Sequence, residues 1–473
     1  MPGGGAQVDT VGPEDGLGQL PWNGRSALGM KFGGRRYCDI WCRRRHILEL
    51  RRRRLRRCSR RRGRSPRRCV GTHPLLAHCR QRLRGAEFGR RNGQIVTIAM
   101  PATFSFLRDP DGALDVLATL AQLSGKLSVT NLNIDHSACR EMDLAASVCL
   151  DLLTIWLGRE WRSSSRLLVS GHVPHDERIR RMYRGCGLTK HLRVAGQQLH
   201  DDEQRKILVF PLRSGRKSVR PTSSTEVERA CDSIVDYVNS CLQTQAWELT
   251  ADGRSGLSEL VGEVLVNAEE HSGLGGWWVI SYMDQSSGIG ECFMAIVSFG
   301  NTIYDSIGST GTPPYVRNEL LRLADAHERR GFFVRRSWRR EDLWTLYALQ
   351  DGVSRFNDGT ITTDRGVGTI KLIEWFQKIG GTDRECRPQE MAIVSGDTYI
   401  YFDGKYRMSS RSYGNEVRQV IAFNSTNDLE LRPDGKYVKQ IDNYFPGTII
   451  SIRFFIDNAY IMRRHSNDGG RNV

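Results

Sequence analysis

Between Ile95 and about Ala195, apolar runs of strand length alternate with longer runs of helical spacing. "IVTIAM", "LSVTNLNID", "RLLVSGHV" and "HLRVAG" read as strands, and "DGALDVLATLAQL", the apolar stretch from Met142 and "DERIRRMYRGCGL" read as helices. Strands punctuated by helices of about 10 to 15 residues predict a small open α/β sheet. A second pattern follows a Ser, Thr, Pro and Arg-rich connection, "RSGRKSVRPTSSTE", and a helix over about 227–242. Leu257, Leu260, Val261, Val264, Leu265 and Ala268 recur at i, i+3, i+4, i+7, i+8 and i+11, one apolar stripe along one helix. "WWVISYMDQ" and "CFMAIVSFG", joined by the turn-forming "SSGIGE", predict a hairpin. "DRGVGTIKLIEWFQKIGG" sets Gly366 and Gly368 before a helix with Leu372, Trp375, Phe376 and Ile379 at helical spacing. "YFPGTIISIRFFI" reads as a closing buried strand opened by Gly447 and Thr448. The chain is therefore expected to be α/β, with an open-sheet domain over 93–200, a linker and connecting helix over 201–252, a second α/β domain over 253–460 and a polar tail over 461–473.

Charge separates one further segment. The chain of 473 residues has a net charge of +16, yet residues 1–92 hold 24 of its 69 Lys and Arg and only 6 of its 53 Asp and Glu. The other 381 residues are close to neutral, with 45 basic and 47 acidic groups. In Trp41 to Val70 like charges are too dense, and apolar surface too scarce, for a compact fold, so 1–92 is expected to be disordered. Two readings of it stay open. It is a basic arm that binds nucleic acid or anionic lipid through counterion release, or it is translated upstream sequence that is not part of the native protein. Cys139, Cys149, Cys186, Cys231, Cys241, Cys292 and Cys386 lack paired C-x-x-C spacing and read as reduced thiols of a cytoplasmic protein. The most apolar run, "MDLAASVCLDLLTIWLG", is 17 residues long and contains Asp143 and Asp151, too short and too charged for a bilayer that needs about 20.

Candidate chemistry lies beside the apolar stripe. At about 100° per residue, Glu263, Asn267 and His271 line up on one flank of the helix, where a cleft would open. Glycines at the start of the helix after Gly366 let backbone N–H groups approach an anion, and the helix dipole favours phosphate there.

The ordered set from about Gly253 to Ile456 resembles the GHKL family of ATP-binding domains, which includes gyrase, mismatch-repair ATPases, histidine kinases and anti-sigma-factor serine kinases. The resemblance implies a two-layer α/β sandwich that binds ATP and Mg2+. "EVLVNAEEH" is similar to the family's N box, which implies Asn267 as the Mg2+ ligand and Glu263 as the general base. "DRGVGTIKL" resembles the glycine box that closes over phosphates, through Gly366 and Gly368, and Thr448 matches a threonine that contacts the nucleotide. At the adenine-reading D-x-G-x-G box the chain has "SFGNT", with Ser298 for the aspartate, Gly300 kept and Thr302 for the second glycine. Ser298 is a candidate base contact, and the change leaves adenine selectivity open. The segment Tyr304 to Asp364 is longer than a minimal lid, and its Arg335, Arg336, Arg339 and Arg340 are basic enough to meet phosphate or an acidic partner.

The preceding α/β part resembles a STAS domain, the fold of anti-sigma-factor antagonists. In "NIDHSACREMDLAAS" Leu144 and Ala145 stand where the phosphorylatable serine pair would be, and Ser147 lies a turn later, so phosphotransfer there has no nucleophile. The resemblances imply a cytoplasmic ATP-binding regulator acting on a protein partner, of STAS type or related to sigma factors, with a homodimer compatible. Two alternatives stay open: a serine/threonine kinase of the anti-sigma-factor type, and a noncatalytic interaction scaffold with a decayed nucleotide site.

Overall fold

The computed structural model describes residues 73–83, 89–92, 94–124, 126, 129–161, 167–187, 190, 199–216, 225–271, 273, 276–330, 338–351, 353, 368–379, 389–413, 416–458 and 461–462. These belong to one compact unit, Cys69–Val473. In chain order the elements are α1 (Pro74–Arg82), β1 (Gly89–Asn92), β2 (Ile95–Ala99), β3 (Thr103–Phe104), α2 (Pro110–Gln122), β4 (Asn131–Asp135), β5 (Glu141–Met142), α3 (Leu144–Trp161), β6 (Leu168–His172), α4 (Glu177–Cys186), α5 (Asp201–Gln204) and β7 (Ile207–Gly215). They continue with α6 (Glu226–Gln243), α7 (Ala251–His271), β8 (Trp277–Asp284), β9 (Gly290–Phe299), α8 (Ile303–Ile307), α9 (Pro314–Arg330), α10 (Arg340–Tyr347), α11 (Gly368–Ile379), β10 (Glu390–Phe402), β11 (Ser409–Tyr413), β12 (Glu416–Val420) and β13 (Val438–Ile456).

The fold is mixed α/β, with a mainly parallel four-stranded sheet, an antiparallel five-stranded sheet and two two-stranded ladders, β3–β5 and β11–β12, among the described residues. In the first, β2, β4 and β6 run parallel in the order β1-β2-β4-β6, with α2 and α3 as the crossovers and β1 antiparallel at the edge. Local chemistry starts each helix. Asp109 accepts from Gly112 N–H at 3.0 Å ahead of Pro110 at the first turn of α2. Asp143 does the same for α3, accepting from Ala146 N–H at 2.8 Å, while its other oxygen takes the Ser105 hydroxyl at 2.8 Å and Leu107 N–H at 3.0 Å.

The second sheet has the order β10-β13-β9-β8-β7, with every pair antiparallel. All ten residues of β9 are buried, so both of its faces are covered. Phe299 on one face meets Trp156 of α3 edge-on at 5.2 Å, and Trp156 also meets Trp278 at 5.7 Å. The other face, with Ile296 and Ser298, turns toward α7, against which α6 and α11 pack. The sheet thus lies between two helical layers, and one continuous hydrophobic core runs through both. Ion pairs stitch the first layer to the sheet. Glu390 takes Arg108 and Arg453, Glu291 takes Arg178 and Arg453, and Asp284 takes Arg181 at 2.9 Å.

Two spans differ from the sequence reading. Part of 1–92, expected to be disordered, is folded: α1 buries Leu76 and Cys79, Leu83 follows buried, and β1 pairs with β2. The reason is local, because "PLLAHCRQRL" sets apolar residues at i, i+3 and i+7 between the Arg runs. His73 stacks on Trp156 at 4.9 Å and donates its backbone N–H to Glu160 at 3.0 Å. The Arg-rich run Trp41 to Val70 lies outside the described residues. Within 201–252, read as linker and connecting helix, β7 forms an edge strand on β8, as its apolar "ILVFPL" allows. No helix among the described residues is long and apolar enough to cross a membrane.

His136, directly after β4, is buried, with Nδ1 3.2 Å from the His172 carbonyl and its ring 4.6 Å from that of Tyr183. Burial lowers its pKa to about 4. The fold therefore favours neutral imidazole, and this stabilisation is complete above about pH 6.5 and lost as pH falls from there through 4. Urea unfolding should show a loss of about 2 kcal/mol between pH 7.5 and pH 5 from this group. His136→Gln should flatten that slope, and an unchanged slope would assign the acid sensitivity to other groups.

Candidate functional site

The site starts from α7. Its apolar stripe is buried as spaced: Leu257, Leu260, Val261, Val264 and Leu265 lie in the core, with Ala268 packed against it. Glu263 and Asn267, on the flank, are half-buried. The His271 side chain lies outside the described residues.

Across from α7, β9 and β13 pair so that Ser298 stands opposite Thr448. Gly447 makes this approach feasible. Its φ is +148°, and a Cβ there would sit 2.0 Å from the Ser298 carbonyl oxygen. Gly300 has φ +136° and donates its N–H to the Pro446 carbonyl at 2.9 Å, which turns the chain out of β9. Behind Thr448, Ser395 on β10 has its hydroxyl 2.9 Å from the Thr448 hydroxyl and 3.3 Å from the Gly447 carbonyl, and it accepts from Ile303 N–H at 2.8 Å.

Between α7 and the sheet lies a cavity of about 120 Å³. Among the described residues its polar lining comes from Asn267, Ser298, Asn301, Thr302, Ser306, Thr369 and Thr448. Val264, Ile296, Ile393 and Ile450 supply apolar wall. Among the described residues none that lines it carries a charge. The volume is well below the ~300 Å³ at which sites for drug-sized ligands begin, so it suits a single heterocycle.

Three of the sequence-predicted residues, Asn267, Ser298 and Thr448, meet at this cavity. Gly300 is the turn beside Ser298. Gly368 begins α11, whose next residue, Thr369, reaches the lining, whereas Gly366 lies outside the described residues. Glu263 is one turn from Asn267 but is not part of the lining. Its carboxylate is 3.5 Å from Lys371 of α11, which also pairs with Glu259. The Glu259 hydrogen bond foremost, and Glu263 with it, raises the Lys371 pKa. The two helices are therefore tied by charge at the rim of the cavity.

Thr302, which stands where the resembling box has glycine, is the N-cap of α8. It accepts from Asp305 N–H at 3.0 Å while Asp305 accepts its N–H at 3.1 Å. Of the basic residues between Tyr304 and Asp364, Arg339 is engaged by Asp342 and Asp397, and Arg340 lies over Trp344 at 5.9 Å. Arg335 and Arg336 lie outside the described residues. In the first layer, Leu144, Ala145 and Ser147 are all buried. Sequence reasoning missed Thr369, Asn301 and Ser395. Thr369 and Asn301 had a signal, since each directly follows a predicted glycine or box residue. Ser395 had none, because only the β10–β13 pairing brings it there.

No family model, no curated protein and no solved structure matches this chain. Among the described residues no group of three or more His, Cys, Asp or Glu gathers as a metal centre.

The close approach at Gly447 gives a direct test. Gly447→Ala should cost about 1–3 kcal/mol in chemical denaturation, because both the φ and the Ser298 carbonyl oppose a Cβ. Gly404→Ala, at φ +85° with open space around it, should cost less. Equal costs would mean that the β9–β13 contact relaxes freely.

Proposed function

We propose that the chain is an ATP-binding regulatory protein of the GHKL type, in which Mg2+-ATP binding or hydrolysis controls an interaction with a protein partner. One observation carries the reading: Asn267, Ser298, Thr369 and Thr448, from four separate parts of the sequence, line one cavity sized for a heterocycle, with no charged side chain among its described lining residues. The base fits the cavity, and the charged phosphates belong outside it, toward the first turn of α11. Backbone N–H groups unsatisfied within that turn favour an anion.

The residues fit Mg2+ as well. This ion takes few protein ligands when phosphate oxygens supply charge, and the half-buried Asn267 offers a neutral amide oxygen at the cavity edge. When bound, the ion would neutralise phosphate charge. Glu263 would accept the proton of an attacking water, and Lys371, 3.5 Å from its carboxylate, would hold it in place. The neighbour of Ser298 on β9 is Phe299, which packs on Trp156 of the opposite layer, so a change at the cavity floor has a contact path to the STAS-like part. The partner surface belongs to that layer in this reading. A kinase acting on the chain's own STAS-like motif is disfavoured by the burial of Ser147 and the absence of a hydroxyl at Leu144 and Ala145.

Calorimetry with Mg2+-ATP should show binding that requires Mg2+ and that falls at least about tenfold in Asn267→Ala. Glu263→Ala should bind nucleotide yet release phosphate about 10² to 10⁴ times more slowly. If the folded protein binds no nucleotide, the cavity has another occupant and the chain acts as an interaction scaffold.

A further inference from the structure

The cavity floor is built from hydroxyls, and their wiring bears on which base it reads. A carboxylate only accepts hydrogen bonds, whereas a hydroxyl donates one and accepts others. Ser298 and Thr448 both line the cavity, side by side across the β9–β13 ladder. The Thr448 hydroxyl is 2.9 Å from that of Ser395, with either atom able to donate. Ser395 in turn has two places for its single proton, the Thr448 hydroxyl or the Gly447 carbonyl at 3.3 Å. One of its two lone pairs takes Ile303 N–H in both arrangements, which leaves the other for Thr448.

Two proton arrangements follow, with no heavy atom moved. If Ser395 donates to Gly447, Thr448 donates to Ser395 and presents only lone pairs to the cavity. If Ser395 donates to Thr448, the Thr448 proton is released toward the cavity. The floor can thus face its ligand as acceptor or as donor. Among the described residues no charged side chain lines the cavity, so none of them penalises a carbonyl oxygen there.

We propose that the site accepts nucleoside triphosphates of both 6-amino and 6-oxo purines, with Ser298 and the Ser395–Thr448 pair reversing their hydrogen-bond direction between the two. This rests on the nucleotide reading of the cavity and specifies its substrate class. A site fixed as acceptor by a carboxylate would reject the 6-oxo base, since two acceptors would face each other in a dry cavity.

Inosine triphosphate confines the change to the 6-substituent and the proton that the 6-oxo form carries on the adjoining N1, as it has no 2-amino group. Calorimetry on the full chain with Mg2+ should give dissociation constants for ATP and ITP within about tenfold, the scale of one neutral hydrogen bond. Ser298→Asp should keep ATP and weaken ITP by at least about tenfold relative to it. Thr448→Val, of the same shape, removes both directions at once and should weaken the two nucleotides alike. ITP binding more than about 100-fold weaker than ATP in the unaltered protein would overturn the proposal while leaving the nucleotide site intact. A loss confined to one base in Thr448→Val would overturn the reversible pair, and this test stands even where Ser298→Asp fails to fold. Binding of neither nucleotide would remove the nucleotide reading itself, and this proposal with it.

Discussion

The pairing of β9 with β13 is the constraint on which the rest of the body depends. It is the central contact of a five-stranded sheet, and its register sets Ser298 against Thr448 on one face and leaves Phe299 on the other. A one-residue slip would exchange those faces, turning an aromatic ring into the cavity and a hydroxyl into the aromatic core. Gly447 locks the register, since only a residue without Cβ tolerates the Ser298 carbonyl at that distance. Small residues thus sit where the backbone must come close, and large apolar residues fill both sides.

Burial on both faces also explains why the two α/β parts form one unit. The face bearing Phe299 and Trp278 would be a broad aromatic surface if α3 were absent, and Trp156 covers it. The ion pairs at the edge act differently. Glu291 and Glu390 are buried and each is held by two arginines, one of which comes from the opposing layer. Buried charges of this kind add modest net stability, but removing one partner strands the other, so they oppose any arrangement in which the layers separate or slide.

The elements most legible in the sequence were those whose period was long and uninterrupted. The α7 stripe, the β8–β9 hairpin and the start of α11 could be read because 3.6-residue and two-residue spacing carry burial directly. Asn267 could be read for the same reason, as a polar residue on the flank of a core stripe. What escaped depended on pairing at a distance. Ser395 is an ordinary strand serine until β10 meets β13. Strand β7 hid in a stretch that looked like linker because its edge position tolerates Pro211. Helix α1 was masked by the charge around it: averaged composition overrode three apolar residues that the fold uses. Thr302 shows the converse, since a residue read as a departure from a box turns out to be spent on capping α8.

The division of charge at the site follows from solvation. Inside, the described residues wall the cavity with hydroxyls, amides and aliphatic groups, so closing these over a ligand desolvates no ion among them. At the rim, Lys371 is about one-third exposed and Glu263 about one-quarter, where water still compensates both. A ligand with a neutral end and an anionic end would match this division, entering neutral end first. Its anionic end would then compete with Glu259 and Glu263 for Lys371, and α11 would be drawn from the α7 carboxylates toward the ligand. In that reading the Lys371 ion pairs would link occupation of the cavity to the spacing of α7 and α11, two helices that pack against each other.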